Sequence, residues 1–412
     1  MTFEDLPLSQ AIQQGIAELG HHTPTPVQEK VIPEVLRRND VLASAQTGTG
    51  KTGAFAIPLL QLLYKQVSKD PVVKNPTILI LSPTRELAVQ IEENIRTYAK
   101  FTNIKSGVVF GGASMQPQIN LLKDGVHILV ATPGRLLDLR KQGYVDLEKI
   151  EILVLDEADL MLDMGFIDEV QKIIRLSPNL EQRLMFSATI PPKVQDLAKN
   201  LLQEPERIEV DVNSSAAPEV DQKLYLVPKQ DKTELLLFVM RNVVKEKSVL
   251  IFRRTKFGVE KAFDSLSKNG FKAEALHGDK SQSERTTALN RFKNKEVNIL
   301  VATDVAARGL DIDLLDFVLN FDIPNLPEVY VHRIGRTGRA GNVGASISFC
   351  SADERDYIKS IEKLIGTQIP IEDNNPYTQD KDAKPPVHKK KGSKHKPGRK
   401  GSGSKANKKR WY

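Results

Sequence analysis

Residues 45–52 read Ala45-Gln46-Thr47-Gly48-Thr49-Gly50-Lys51-Thr52, between an apolar run from Asp40 to Ala45 and a helical pattern running from Lys51 toward Leu63. Strand, small-residue turn, helix is an α/β unit, and the turn has the chemistry of a phosphate cradle. Small residues let successive backbone N–H groups converge on oxygens, and the following helix N-terminus adds its partial positive charge. Lys51 is expected to reach the β- and γ-phosphates of a nucleotide and the Thr52 hydroxyl to ligate Mg²⁺. The usual pattern begins with Gly, and Ala45 stands in that place. Further on, Ile152-Leu153-Val154-Leu155 delivers Asp156-Glu157-Ala158-Asp159. Asp156 at a strand end suits Mg²⁺, through water, and Glu157 can orient and deprotonate an attacking water. Alone, this reads equally as an ordinary acidic turn before a helix. Paired with the phosphate loop, it points to hydrolysis of a nucleoside triphosphate.

The chain has 412 residues, 40% hydrophobic and 27% charged. That length exceeds one ordinary core, so two domains of roughly 150 to 200 residues are expected. No apolar run approaches the roughly 18 residues of a membrane span, and the opening, with Glu4 and Asp5, does not read as a signal peptide. A single cysteine, Cys350, excludes a disulfide framework and a cysteine metal cage. The expected compartment is the cytoplasm, with no membrane partner. The net charge of +7 is uneven: beyond Asp382 there are 12 Lys and Arg and no acid, so the rest carries −5. Such a tail reads either as a non-specific polyanion anchor or as a solvated, disordered terminus.

Short apolar runs alternate with helical patterns, which predicts mainly parallel sheets flanked by helices. Expected strands are 40–45, 77–82, 106–110, 126–131, 150–155 and 183–187, then 248–252, 273–276, 298–302, 317–320 and 345–349. Asp211 to Pro218 is small and polar and reads as a flexible joint. In open sheets of this class ligands sit beyond the carboxyl ends of the strands, where Lys51, Asp156, Ser187, Thr255, His277 and Asp304 fall. Phosphoryl transfer also needs positive charge on the transition state. His332-Arg333-Ile334-Gly335-Arg336-Thr337-Gly338-Arg339 offers candidates from the second half, so hydrolysis would require the domains to close.

With Asp-Glu-Ala-Asp, Ser187-Ala188-Thr189 and His332 to Arg339 in this order, the chain closely resembles the DEAD-box ATP-dependent RNA helicases, and its opening and length are similar to those of the bacterial RhlE-like subgroup. The resemblance covers about residues 1–368. It implies two tandem RecA-like domains with a disordered basic C-terminal tail: an adenine-recognition segment at 1–29, an ATP-binding domain at 30–210, a hinge at 211–220, a C-terminal helicase domain at 221–368 and the tail at 369–412. ATP and Mg²⁺ are the implied cofactors. Residues 45–52 would hold the phosphates, Gln28 would read the adenine edge with Phe3 stacking on the ring, and Asp311 would bind the ribose. Arg336 and Arg339 match the finger arginines. Asp159, Ser187, Thr189 and His332 match positions that couple nucleotide state to closure.

The same resemblance implies RNA contacts at Pro83-Thr84-Arg85, Gly111-Gly112 and Thr132-Pro133-Gly134-Arg135 in the first domain. In the second it implies Arg254-Thr255, His277-Gly278, Gln282, Arg285, Thr303 and Arg308. Glycine N–H groups, hydroxyls and guanidiniums bind phosphate and sugar, so recognition should be largely sequence-independent. Taken singly, Thr132-Pro133-Gly134 also reads as a helix-starting turn and Gly111-Gly112 as the end of a strand. The expected function is an RNA-dependent ATPase, acting as a monomer, that opens short RNA duplexes or remodels RNA–protein complexes, with the tail holding structured RNA nearby. An ATP-gated RNA clamp or annealing chaperone and a DNA-directed helicase remain open alternatives.

Overall fold

The computed structural model describes residues 1–45, 48–67, 75–210, 220–307, 315–338, 344–380 and 383. Two parallel sheets carry the chain. The first contains β1 (Val41–Ser44), β2 (Ile78–Leu81), β3 (Ser106–Val109), β4 (Ile128–Ala131), β5 (Ile152–Leu155), β6 (Gln182–Ser187) and β7 (Glu206–Glu209), in the order β3-β4-β2-β5-β6-β1-β7. The second contains β8 (Val220–Leu226), β9 (Val249–Arg253), β10 (Ala273–Leu276), β11 (Ile299–Thr303), β12 (Phe317–Asn320) and β13 (Gly344–Cys350), in the order β10-β11-β9-β12-β13-β8.

The central strands form where a short run is apolar at every position, because helices cover both faces. Successive side chains then enter opposite cores. Ile78 and Ile80 join the cluster of Ile152 and Val154, whereas Leu79 and Leu81 join that of Leu153 and Leu155. Val249 and Ile251 divide from Leu250 and Phe252 in the same way. All eleven expected strands are present, each within two residues of its expected bounds. Two edge strands were not expected. In β7 only Ile208 of Glu-Arg-Ile-Glu is buried, and β8 begins with mixed polarity, as half-covered edges do.

Two boundaries need correction. Val220, placed at the end of the hinge, is the first residue of β8 and pairs with Gly344. Residues 211–219 lie outside the described residues. The tail was expected from 369, but residues 369–380 run as a strap along the outer edge of β8. Leu224 N donates to Pro370 O (2.8 Å), Glu372 N to Leu224 O (2.8 Å) and Gln379 N to Leu226 O (2.8 Å). Ile369 is 3% exposed and Tyr377 packs on the core. The free N–H and C=O groups of an edge strand supply the physical reason. The basic residues 384–412 lie outside the described residues. Among the described residues, no helix is long and apolar enough to cross a membrane.

Candidate active site

Strand order brings three motifs together. β5, β6 and β1 are neighbours, so Asp156, Ser187 and Ala45 emerge within about 10 Å along one sheet edge. The pairing continues past the strand ends, since Ala45 N donates to Ser187 O (3.1 Å) and Asp156 N to Leu81 O (3.0 Å). In the phosphate loop Gly48 and Gly50 have φ of 80° and 91°, left-handed values that favour glycine. Lys51 opens the helix Lys51–Val67, and its ammonium turns into the loop to donate to Ala45 O at 2.8 Å. Thr52 follows on the first turn, half-buried. Gln46 and Thr47 lie outside the described residues.

Gln28 sits on the third position of the helix Pro26–Leu36, where its Oε1 accepts from Thr25 N (3.0 Å). Its Nε2 donates to Gly50 O (3.0 Å), so the expected adenine reader is bonded to the phosphate loop. A Cβ on Gly50 would stand 2.7 Å from that nitrogen. Phe3 is 4% exposed and packs in the core of the first domain. Asp311 lies outside the described residues.

Burial pushes the Asp156 carboxyl up to about 7, Lys51 opposes it, and Glu157 adds to it. Glu157 has φ 51° and ψ 56°, left-handed values uncommon for a side chain with a Cβ, and such strain concentrates at functional positions. Asp159 Oδ2 accepts from both the N–H and the hydroxyl of Thr189 (3.3 Å each), and Ser187 Oγ donates to Thr189 O (2.6 Å). Glu157, Asp159 and Thr189 line a cavity of about 450 Å³ whose opposite wall, from the second domain, includes Leu326, His332 and Arg336. Arg339 lies outside the described residues. For Mg²⁺ the donor set fits: Asp156 and Thr52 offer hard oxygens, and this ion usually takes one or two carboxylates with substrate phosphates supplying the rest. Among the described residues no cluster of three or more acidic, His or Cys groups is preformed.

The other half of the first sheet edge, β2, β4 and β3, faces a second interdomain groove of about 510 Å³. Pro83, Thr84, Arg85, Gly111, Thr132, Gly134 and Arg135 line it, with Gly278, Arg285 and Val305 from the second domain. A Cβ on Gly111, Gly134 or Gly278 would meet nothing within 4 Å, so no protein packing requires glycine there. Gly112 instead receives the Arg85 guanidinium, and Pro133 opens the helix Pro133–Lys141.

The expected RNA residues of the second domain divide. Gln282 and Arg285 reach across the cleft: Arg285 Nε donates to Glu86 Oε1 (2.7 Å), and Arg85 Nη1 donates to Gln282 Oε1 (3.5 Å). The His277 ring is held by Glu260 (2.6 Å) and by Asp279 N (3.3 Å). Arg254 donates to Ile323 O (2.8 Å), Thr255 caps the helix Lys256–Lys268, and Thr303 ends β11. Arg308 lies outside the described residues. Sequence reasoning missed Glu86, which reads there as an ordinary acid in a helix's first turn, and the pair of Asp304 with Arg333.

Residues 25–197 match the family model described as DEAD/DEAH box helicase, and residues 231–341 match the one described as Helicase conserved C-terminal domain. The ATP-dependent RNA helicase CshA of Limosilactobacillus reuteri is 42% identical over 366 residues, covering 88% of this chain and 72% of that protein. The ATP-dependent RNA helicase DbpA of Bacillus subtilis is 42% identical over 367 residues, 89% of this chain and 75% of that one. Among solved structures, S. cerevisiae Dbp5 bound to RNA and ADP BeF3 aligns with a TM-score of 0.78 at 30% identity, covering 90% of this chain and 95% of that one.

Proposed function

This chain belongs to the DEAD-box family of ATP-dependent RNA helicases, and from that premise we propose which of its residues perform the reaction and on what RNA. The loop 45–52 binds the triphosphate, with Lys51 on the β- and γ-phosphates. Thr52 and Asp156 would hold Mg²⁺, which would supply positive charge against the phosphate oxygens. Glu157 orients the attacking water and accepts its proton. Arg336 and Arg339 offset the charge that develops on the transferred phosphoryl group. Gln28 reads the adenine, Phe3 stacks on it, and Asp311 holds the ribose.

RNA lies in the second groove, contacted through phosphate and sugar by Thr84, Arg85, Gly111, Gly112, Thr132, Gly134, Arg135 and Gly278, with Arg254, Thr255, Thr303 and Arg308 as further contacts. Few of these groups suit base edges, which supports sequence-independent binding. Short duplexes opened locally are the substrate, the chain acts as a monomer in the cytoplasm, and the basic residues beyond 382 hold flanking structured RNA.

The observation that carries this reading is the shared cavity. Glu157, Asp159 and Thr189 come from one domain, His332 and Arg336 from the other, and neither set completes a hydrolytic centre alone. The test is ATP turnover with and without single-stranded RNA, on the full chain. A rise with RNA, lost in Glu157→Gln, is expected. Equal rates in the two conditions would refute the coupling, and equal stimulation by DNA of the same sequence would refute RNA as the preferred strand.

A further inference from the structure

Arg333 is 3% exposed, and a charge taken from water costs several kcal/mol unless it is paired and hydrogen-bonded. All three nitrogens of its guanidinium donate hydrogen bonds. Nε and Nη2 grip the two oxygens of Asp304 at 2.6 and 2.8 Å, and Nη1 donates to Asn320 Oδ1 (2.9 Å) and to Asp322 O (2.8 Å). Its face lies 4.8 Å from the centroid of the Phe252 ring. These partners stand at the carboxyl ends of β9, β11 and β12 or just beyond them.

The two ends of the forked bond belong to different clefts. Asp304 sits between Thr303, the last residue of β11, and Val305, which lines the RNA-side groove. Arg333 sits on the helix Pro327–Ile334 beside His332 and three residues before Arg336, both of which line the hydrolytic cavity. For stability alone, apolar side chains of similar volume serve as well as or better than a buried ion pair. A planar bidentate pair supplies fixed orientation in addition.

Resting on the RNA-driven reading above, we propose that Arg333 is a positioning residue. Its forked bond to Asp304 ties the helix Pro327–Ile334, which leads directly into Arg336, to the end of β11, so that RNA held at 303–305 sets His332 and Arg336 for hydrolysis. It touches neither nucleotide nor RNA. It acts through the residues on either side.

The test uses Arg333→Lys, which keeps the charge but cannot fork. If the coupling runs through this bond, RNA-stimulated kcat falls about tenfold, within the usual range for coupled sites. The RNA concentration giving half-maximal stimulation, and the Kd for single-stranded RNA with a non-hydrolysable ATP analogue, stay within about twofold, because no ground-state contact is lost. The double variant Asp304→Asn, Arg333→Gln leaves neither charge buried alone and guards against a misfolded single variant. It should show the same split between kcat and RNA affinity, with a melting temperature near that of the natural chain. Unchanged kcat in both variants would overturn the proposal. So would a kcat loss that merely tracks losses in RNA affinity and melting temperature, as a structural pair would give. Absence of RNA stimulation in the natural protein would be a different failure, refuting the RNA-driven reading and this proposal with it.

Discussion

At Gly112 backbone angle and side-chain chemistry demand the same residue. Its φ is 75°, and a Cβ would stand 2.2 Å from the Arg85 guanidinium. Gly112→Ala must therefore displace Arg85 as well as strain the turn, at about 1 to 2 kcal/mol for the left-handed angle. We expect single-stranded RNA affinity to fall about tenfold, the worth of one hydrogen bond to a charged group, while ATP affinity without RNA is unchanged; titrations with each ligand check both. Asp322 contributes to stability against acid. Burial would raise its carboxyl, but Arg253 at 2.9 Å and the Arg254 N–H hold it below the ordinary 3.8. A folded pKa below the unfolded one stabilises above the unfolded value, and that contribution is lost as pH falls through the folded one. Asp322→Asn should therefore lower the melting temperature at neutral pH, and the gap to the natural chain should close as pH drops below 3.8. A gap constant across that range would show that charge is not the reason. The residues that sequence reasoning found here were those whose type is unusual for their place: glycines in a turn, a lysine opening a helix, acids ending an apolar strand. Glu86 and the pairing of Arg333 with Asp304 escaped because a charge in the first or last turn of a helix is ordinary.

Among elements, the central strands were legible and two of the four edge strands, β7 and β8, were not, for one reason. A strand covered on both faces must be apolar throughout, so Ile152-Leu153-Val154-Leu155 announces itself. An edge is half-solvated, and Glu206-Arg207-Ile208-Glu209 looks like a loop with one stray isoleucine. The strap over β8 was hidden by its polar composition as well, since its backbone rather than its side chains does most of the docking. This separates two truncations that composition alone would treat alike, a stop after Asp380, where the strap ends, and a stop after Gly366, before it begins. The longer form keeps Ile369, Tyr377 and the bonds to β8, and should melt with the full chain. The shorter form loses the burial of Ile369, roughly 2 kcal/mol before compensation, and the partial burial of Tyr377, and uncovers an edge strand prone to pairing with other chains. A clear fall in melting temperature, with aggregation, is expected in calorimetry. Equal melting of the two forms would show that the strap adds nothing.

Across the whole molecule, the described residues of the two lobes line two shared grooves, which on the proposed reading serve different ligands. On one side Glu157, Asp159 and Thr189 face His332 and Arg336. On the other, Glu86 and Arg285 form an ion pair with both side chains about nine-tenths buried, next to Arg85 and Gln282. Each lobe is rigid within its own sheet, so bringing one pair of walls together favours the other, and a ligand that closes either groove raises affinity for the ligand of its neighbour. Such coupling is reciprocal by thermodynamic necessity: ATP analogue must tighten RNA by the same factor by which RNA tightens the analogue, commonly about 5- to 150-fold. Glu86→Gln keeps the shape of the side chain and removes the charge that draws Arg285 across. The coupling factor should drop about fivefold or more, equally in both directions, because the pair stabilises the closed arrangement rather than either ligand. Four dissociation constants, for each ligand with and without the other, measure this in the natural and substituted chains. An unchanged factor would mean that the lobes close without the pair. A loss confined to RNA affinity in the absence of nucleotide would place Glu86 in the RNA site alone, with no part in joining the lobes.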